Sequence, residues 1–244
     1  MISKGGLNIY GIPIGVLSLE SYFPKGPGHI KNPTTFDFPV TYKVVKGATV
    51  KKVVDQADPS LLEPFIEAAR ELESEGVQAI TGSCGFLVLF QRELADAVSV
   101  PVYISSLIQV PMVHRMLRKD QKVGIMVALK RSLTQEHLRA VGADTTPVCI
   151  AGMDDQEEFC EVIIEGRRNE LDFGRLEDEI VSVAEALVRE NPETGALVLE
   201  CTDMTSFAHK IQKKINLPVF DIITLTNMVY EAVLRRNYQG IMPR

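Results

Sequence analysis

The chain has 244 residues, of which 45% are hydrophobic and 24% charged, and its formal net charge is −6 at neutral pH. This composition is that of an ordinary globular protein, which forms one large domain or two of about 120 residues. The negative net charge gives no general attraction to nucleic acid or to an anionic membrane surface, so neither is expected as a partner.

The cysteines and the N-terminal residues indicate the cellular compartment. Four cysteines lie too far apart for a CxxC redox or zinc motif: Cys84, Cys149, Cys160 and Cys201. Residues 1–6 lack the apolar core of a signal peptide. The longest mostly apolar run, residues 77–90, is too short and too polar to span a bilayer. We therefore expect a cytoplasmic protein with reduced thiols.

The first predicted strand is the apolar run 12–17, which ends in a polar group that includes Glu20. Polar groups at that end of a strand face a cleft, so Glu20 is a candidate contact to substrate, with a surface role as the alternative. Residues 22–43 combine prolines and glycines with aromatic residues, which predicts an ordered loop. This loop is either a lid over the cleft or an insertion packed on the sheet edge or at a dimer contact.

The next elements alternate between helices and strands. Asp58 and Pro59 form an N-cap and a first-turn proline, apolar residues follow at helical spacing, and Gly76 ends the helix. This helix leads into an apolar strand that ends at Cys84. A helix over residues 85–97, a strand over 101–105 and a helix over 110–118 are predicted after it.

The second half repeats this alternation. Strands are predicted over residues 123–128, 146–150, 196–200 and 218–222, and helices over 132–141, 154–167, 176–189 and 226–237. Strands that alternate with helices predict a mostly parallel sheet in each half.

A shift of the chain by 117 positions aligns residues 79–117 with residues 196–234 without a gap. It pairs Cys84 with Cys201 and Pro101 with Pro218. This register indicates a duplicated βαβ unit. The predicted fold is therefore α/β, with two pseudo-symmetric Rossmann-like lobes and parallel sheets. Residues 1–106 with 223–244 are assigned to the first lobe and residues 107–222 to the second, with an active-site cleft between them.

The cleft is expected to bring the two cysteines face to face, because ligands bind at the carboxyl ends of parallel strands. One thiolate can remove a proton from a carbon acid while the opposite thiol delivers a proton to the other face. Each cysteine precedes a predicted helix start, whose amides are expected to lower the thiol pKa toward neutrality and to attract a carboxylate. The alternative is that each cysteine is a small buried apolar residue.

Further candidates for substrate binding lie near the cysteines or at the mirrored strand end. Asp203 either orients the thiol and binds an ammonium group or caps a helix. Ser83 either donates to a carboxylate or bonds to the backbone. Lys130 and Thr134 would reach the cleft if the mirror relation holds. The other candidates are small, aromatic or hydroxyl residues directly after the cysteines: Gly85, Phe86 and Thr202.

No cofactor or metal is expected. The histidines His29, His114, His137 and His209 lack HExxH spacing and are interpreted as surface or helix-packing residues. The chain has neither a GxGxxG pattern nor a P-loop motif, so a nucleotide site is not predicted either.

The segment from Leu199 to Asp203 resembles the Cys-Thr-acid/His segment of the aspartate/glutamate racemase superfamily, and Cys84 stands where the first catalytic cysteine of that superfamily does. The superfamily includes hydantoin racemases, maleate isomerases and arylmalonate decarboxylases. The resemblance implies a cofactor-independent racemase or isomerase with Cys84 and Cys201 as paired acid/base groups. Amino-acid racemases usually have Cys-Asn-Thr at the first site, whereas here Gly85 and Phe86 follow the cysteine, which suits a bulkier or less polar substrate.

The resulting prediction is a PLP-independent isomerase, a racemase or epimerase of an amino acid or amino-acid derivative, with a small carboxylate as substrate. A decarboxylase or a cis-trans isomerase of a small dicarboxylate in the same site is one alternative. A non-catalytic small-molecule binding protein is another. A homodimer is the expected assembly.

Overall fold

The computed structural model describes residues 5–242, which form two four-stranded parallel sheets. The first sheet has the order β2-β1-β3-β4 and consists of β1 (Ile14–Glu20), β2 (Val40–Thr49), β3 (Ala79–Gly82) and β4 (Val102–Tyr103). The second has the order β6-β5-β7-β8 and consists of β5 (Lys122–Val127), β6 (Val148–Gly152), β7 (Thr194–Leu199) and β8 (Val219–Phe220). The predicted α/β fold with two pseudo-symmetric parallel sheets is confirmed.

The two sheets repeat the same hydrogen bonds at the predicted spacing. The amide of Ser83 donates to the carbonyl of Leu17 at 2.9 Å, and the amide of Glu200, 117 positions later, donates to the carbonyl of Met126 at 2.8 Å. Each bond joins the end of a central strand to its neighbour. The two halves therefore place the residue before each cysteine in the same backbone environment.

In the described part of the chain, residues 5–242, seven α-helices cover the sheets: α1 (Leu62–Ser74), α2 (Gln91–Ala97), α3 (Val110–Met116), α4 (Gln135–Arg139), α5 (Phe173–Glu190), α6 (Ala208–Ile215) and α7 (Ile222–Val233). The predicted helix after each cysteine begins as a 3₁₀ helix, Gly85–Phe90 before α2 and Thr202–Phe207 before α6. The predicted helix over residues 154–167 is a short π-helix, Phe159–Ile164. No helix within residues 5–242 is both long and apolar enough to cross a membrane.

Helix α1 shows how local sequence sets an element. The side chain of Asp58 accepts from the amide of Ser60 at 3.0 Å, which satisfies a donor at the start of the preceding 3₁₀ turn. Phe65 and Leu72 lie two turns apart on one face and are fully buried. Each such side chain contributes about 2 kcal/mol by leaving water. Gly76, with φ of 93°, ends the helical segment.

Strand β2 was not predicted, because its residues were assigned in part to the loop 22–43. The strand pairs in parallel with β1, from Ile14 opposite Val40 to Ser18 opposite Val44. It lies at the edge of the sheet, and only Val45 and Ala48 of its ten residues are buried. An edge strand with so few buried positions shows no clear apolar alternation, so its sequence does not read as a strand.

Two helices pack away from the sheet that precedes them. Ile222 and Leu225 of α7 belong to the same apolar cluster as Ile14 and Ala79 of the first sheet. Similarly, Val110 and Val113 of α3 pack with Val123 of the second sheet. These exchanges join the two halves; the exact division of the chain into domains stays a prediction.

Candidate active site

Cys84 and Cys201 line one cavity between the carboxyl ends of the two sheets. Cys84 follows β3 after one residue and Cys201 follows β7 after one residue, and each caps a 3₁₀ helix. The volume of the cavity is about 20 Å³, which is room for a single water molecule. Its wall is largely apolar and is formed by Leu19, Phe23, Val50, Val54, Ile163 and Ile164.

Cys201 is part of a chain of hydrogen bonds. Its thiol donates to Oδ2 of Asp203 at 3.4 Å, and Nε2 of His29 lies 2.8 Å from Oδ1 of the same carboxylate. The amide of Lys31 donates to Nδ1 of His29 at 2.8 Å, so the ring proton is on Nε2 and points at Asp203. Burial alone would raise the pKa of Asp203, but the hydrogen bonds from His29 and Cys201 hold it below its usual value.

The environment of the two thiols corrects one expectation. Burial raises the pKa of both Cys84 and Cys201 well above the ordinary value. The nearby carboxylates add to this, Glu200 most for Cys84 and Asp203 most for Cys201. The amides at the start of each 3₁₀ helix favour the thiolate but do not offset burial. The predicted lowering toward neutrality is therefore wrong.

Two lysines reach the cavity region from the segment between β1 and β2. Nζ of Lys31 donates to the carbonyl of Leu19 at 2.8 Å and to Oγ of Ser21 at 2.9 Å, and burial lowers its pKa. Burial also lowers the pKa of Lys25 to about 8, and its ammonium lies 3.6 Å from the centre of the Phe23 ring. This segment places the positive charge of Lys31 close enough to Cys84 for the two groups to interact.

Glu200 is a cavity residue that the sequence analysis did not single out. Its side chain is 1% exposed, and Oε2 accepts from the amide of Ala128 at 3.2 Å. Burial raises the pKa of Glu200 to about 8. His29, expected on the surface or in helix packing, is also buried at the cavity. The motif match around Cys201 contained Glu200, but a glutamate before a cysteine carries no signal of burial by itself.

Five of the predicted site residues line the cavity: Ser83, Cys84, Cys201, Thr202 and Asp203. The hydroxyl of Ser83 accepts from the amide of Leu19 at 2.9 Å. The hydroxyl of Thr202 donates to the carbonyl of Ser83 at 2.8 Å, which is a direct contact between the two halves.

Three other predicted residues lie close by without lining the cavity. Oε2 of Glu20 accepts from the amide of Gly47 at 2.9 Å and ties β1 to β2. Phe86 is buried edge-on against the ring of His137, with centroids 5.1 Å apart. Gly85 packs directly against Glu200.

Lys130 and Thr134 lie outside the cavity, so their predicted place in the cleft is corrected. Lys130 is exposed, and its amide donates to Oδ2 of Asp154 at 2.7 Å in the turn after β5. Thr134 forms a capping box with His137 at the start of α4. The mirror relation fails here because Asp154, which follows β6, accepts from the amides of Lys130 and Arg131 and holds this turn. Within residues 5–242, no group of three or more His, Cys, Asp or Glu side chains is placed to hold a metal ion.

Several solved structures share this fold. Unliganded arylmalonate decarboxylase has a TM-score of 0.57 and 10% identity over 91% of this chain and 92% of that one. Allantoin racemase from Pseudomonas fluorescens has a TM-score of 0.57 and 14% identity over 91% of each chain. The aspartate racemase of Picrophilus torridus has a TM-score of 0.56 and 14% identity over 91% of this chain and 94% of that one. The protein thus has the fold of the aspartate/glutamate racemase superfamily, as its resemblance implied.

Proteins of similar sequence identify the family of the chain more narrowly than the fold does. No family model matches the chain. A dimethylsulfoniopropionate lyase of Durusdinium sp. clade D is 32% identical over 223 residues, which is 88% of this chain and 73% of that protein. Dimethylsulfoniopropionate lyase 3 of Emiliania huxleyi (strain CCMP1516) is 30% identical over 93% of this chain, which spans 61% of that longer protein. The chain belongs to the dimethylsulfoniopropionate lyase family.

This membership overturns the functional prediction. The relatives are lyases, so the predicted isomerase, a racemase or epimerase of an amino acid, is wrong. The decarboxylase alternative, itself a lyase in the same site, was the closer of the two enzyme interpretations. The resemblance identified the fold, but a fold shared by racemases and decarboxylases does not define the reaction.

Proposed function

We propose that this protein cleaves dimethylsulfoniopropionate by β-elimination. A base removes a proton from the carbon next to the carboxylate, and the electron pair of that C–H bond forms the new C=C bond. The C–S bond breaks and its electron pair stays on sulfur. The products are acrylate and neutral dimethyl sulfide, and the proton passes from the base to solvent. No oxidant, reductant or cofactor takes part in this balance.

Cys201 is the proposed base, and the observation that carries the proposal is its hydrogen bond to Asp203. Cys201 has a side-chain acceptor for its proton, and that acceptor is itself held by His29. No side-chain hydrogen bond is found for Cys84 within residues 5–242. A cationic sulfonium in the cavity would lower the raised pKa of the Cys201 thiol, because an opposite charge favours the thiolate. The substrate would thus activate its own base.

The charges around the cavity suit a substrate with one positive and one negative end. Phe23 lines the cavity, and the ammonium of Lys25 lies 3.6 Å from the centre of its ring, so this part of the cavity wall attracts cations. Asp203 adds negative charge on the Cys201 side. Lys31 adds positive charge, which acts more strongly on Asp203 than on Cys84.

The experiment measures dimethyl sulfide by gas chromatography for the wild type, Cys201→Ala and Cys84→Ala. Elimination needs one proton transfer, whereas racemisation needs two, so the two variants should differ. We expect Cys201→Ala to lower kcat by about 10³-fold, within the usual range for loss of a general base, and Cys84→Ala to lower it by less than about tenfold. Absence of dimethyl sulfide with the wild type would refute the activity. Equal losses in both variants would refute the assignment of the base.

A further inference from the structure

The side chain of the residue before each cysteine accepts a hydrogen bond from a main-chain amide in both halves. Ser83 accepts from the amide of Leu19 at 2.9 Å, and Glu200, its counterpart 117 positions later, accepts from the amide of Ala128 at 3.2 Å. Serine accepts this hydrogen bond with its single side-chain oxygen. Glu200 accepts it with Oε2, so its second oxygen, Oε1, is not needed for this contact.

Oε1 of Glu200 is buried and has no hydrogen-bond partner among residues 5–242. The residue lines the cavity together with both cysteines. Leaving a buried polar atom without a partner destabilises the fold, and such atoms are uncommon. The unpartnered oxygen is therefore a group that a molecule bound in the cavity would complete.

The opposite half leaves space for this carboxyl group. A Cβ at Gly85 would overlap with Oε1 of Glu200 and with the main-chain oxygen of the same residue, so only glycine fits there. The equivalent position in the second half is Thr202, which contacts the carbonyl of the shorter Ser83. The two halves thus differ in a matched way, with glycine opposite glutamate and threonine opposite serine.

We propose that Glu200 binds the substrate carboxylate as a neutral carboxylic acid, with Oε1–H as the hydrogen-bond donor. The identity of the substrate rests on the proposed function. Because Oε2 accepts from Ala128, it is the carbonyl oxygen of the acid, and the proton is on Oε1. A hydroxyl in this position meets a carboxylate oxygen of the substrate.

The protonation state agrees with this assignment. Burial raises the pKa of Glu200 to about 8, and the charge of Asp203 acts in the same direction. The other titratable groups at the cavity are Cys84, Cys201, His29 and Lys31. At neutral pH the side chain is therefore mostly uncharged, and it does not repel an incoming carboxylate.

The donor also has a role in the chemical step. Removal of the proton next to the carboxylate moves negative charge onto the carboxylate oxygens. A fixed donor in a site that excludes water stabilises this charge more than it stabilises the ground state. The proton of Glu200 stays on Oε1 throughout, so its contribution is electrostatic.

Two substitutions separate the neutral donor from the charge. Glu200→Gln keeps a carbonyl for Ala128 and an amide donor in place of Oε1–H, and we expect kcat/KM within about tenfold of wild type. Glu200→Ser copies the other half, so it should fold but lack the donor, with kcat/KM lower by about 10² to 10³. Thermal unfolding of both variants verifies the fold.

The pH profile gives a second readout. Cys201 gains thiolate in both proteins as pH rises, but only the wild type loses the proton of Glu200, so its rate should fall relative to that of Glu200→Gln as pH rises through about 8. An equal pH dependence of the two rates would belong to other groups, such as Lys25, and would overturn the inference. So would a Glu200→Gln variant as inactive as Glu200→Ser, because the charge would then be the essential feature.

Propionate binding, measured by calorimetry, tests the inference apart from lyase activity. The wild type and Glu200→Gln should bind propionate, and Glu200→Ser at least tenfold more weakly. Glu158→Gln is the control, because Glu158 is equally buried but both of its oxygens are bonded to Arg168; it should bind as wild type does. Binding that depends on residue 200 without release of dimethyl sulfide would refute the proposed function alone. Absent binding, or equal binding by Glu200→Ser, would refute this inference.

Discussion

A side chain at position 85 has no room beside Glu200. We expect Gly85→Ala to displace the Glu200 carboxyl group and the chain around Cys84, because the added Cβ would meet a main-chain oxygen that cannot rotate away. Lyase activity should fall by about 10²-fold or more, with a loss of about 1–3 kcal/mol in the free energy of unfolding. Urea unfolding and the dimethyl sulfide assay measure the two effects.

Gly174→Ala is the matched control for this substitution. A Cβ at Gly174 meets only Oδ1 of Asp172, at 3.4 Å, which is an ordinary contact, and the residue does not line the cavity. Its activity should equal that of wild type. Full activity in Gly85→Ala would show that the carboxyl group of Glu200 has more freedom than this packing allows.

At the scale of single residues, the cysteines were predictable and their partners were not. Cys84 and Cys201 follow apolar strands at one fixed spacing, so sequence alone placed them at one cavity. His29 meets Asp203 across 174 positions, and no local pattern encodes that contact. Glu200 was hidden for a different reason, because glutamate is seldom buried and its sequence position does not reveal that it is.

The segment 21–39, between β1 and β2, is the element that covers the cavity. The hydroxyl of Thr205 donates to the carbonyl of Gly28 at 2.6 Å, and His29 bonds to Asp203. The cavity has room for only one water molecule, so we expect this segment to move before dimethylsulfoniopropionate enters. The predicted lid and this geometry agree in position, and the motion itself is a prediction.

Gly28→Ala tests the role of this segment. Gly28 has φ of 92°, and a Cβ there would lie 2.8 Å from Cα of Ser206, so the segment must move off the 3₁₀ helix Thr202–Phe207. We expect a KM at least fivefold higher and faster amide hydrogen exchange in residues 21–39.

Gly47→Ala supplies the control for Gly28→Ala. Gly47 also has a positive φ, of 77°, but a Cβ there meets nothing within 4 Å. The variant carries the backbone strain, of about 1 kcal/mol, without the contact. A KM raised equally in both variants would mean that strain, and not the seating of the segment, is responsible.

At the scale of the whole molecule, Glu200 couples stability to pH. Its pKa is about 8 in the folded protein against 4.5 as the ordinary value, so the folded state holds the proton that the unfolded state loses between these values. Stability therefore falls as pH rises from about 4.5 to 8. The slope approaches about 1.4 kcal/mol per pH unit within this window.

Glu200→Gln removes this pH dependence of stability, so comparison with the wild type measures the contribution of Glu200. The difference in unfolding free energy between the variant and the wild type should shift in favour of the variant by roughly 3 kcal/mol between pH 5.5 and pH 8. Burial lowers the pKa of Lys25 to about 8 and also lowers the pKa of His137, but both groups are common to the two proteins and cancel in the difference. Urea unfolding at the two pH values gives the difference. A constant difference would place the pKa of Glu200 near its ordinary value.

The sequence by itself determined the architecture and the position of the two thiols. Strand and helix periodicity is local, and a repeat of 117 residues relates the two cysteine strands and the helices and strands that follow them, so both are readable without coordinates. The edge strand β2 was not predicted, because it buries too few side chains to show an apolar pattern. The type of reaction could not be predicted from the sequence, because the resemblance indicated a racemase, whereas the relatives are lyases.

Only the tertiary structure decided what surrounds the sulfur atoms. The burial that raises the pKa of both thiols, the bonds of Asp203 to His29 and Cys201, and the fit of Glu200 against Gly85 join residues far apart in the chain. The physical reason is that burial and electrostatic coupling depend on distance in space. The ends of the two strands that precede Cys84 and Cys201 are equivalent in sequence position but differ chemically, because one has a serine before its cysteine and the other a glutamic acid.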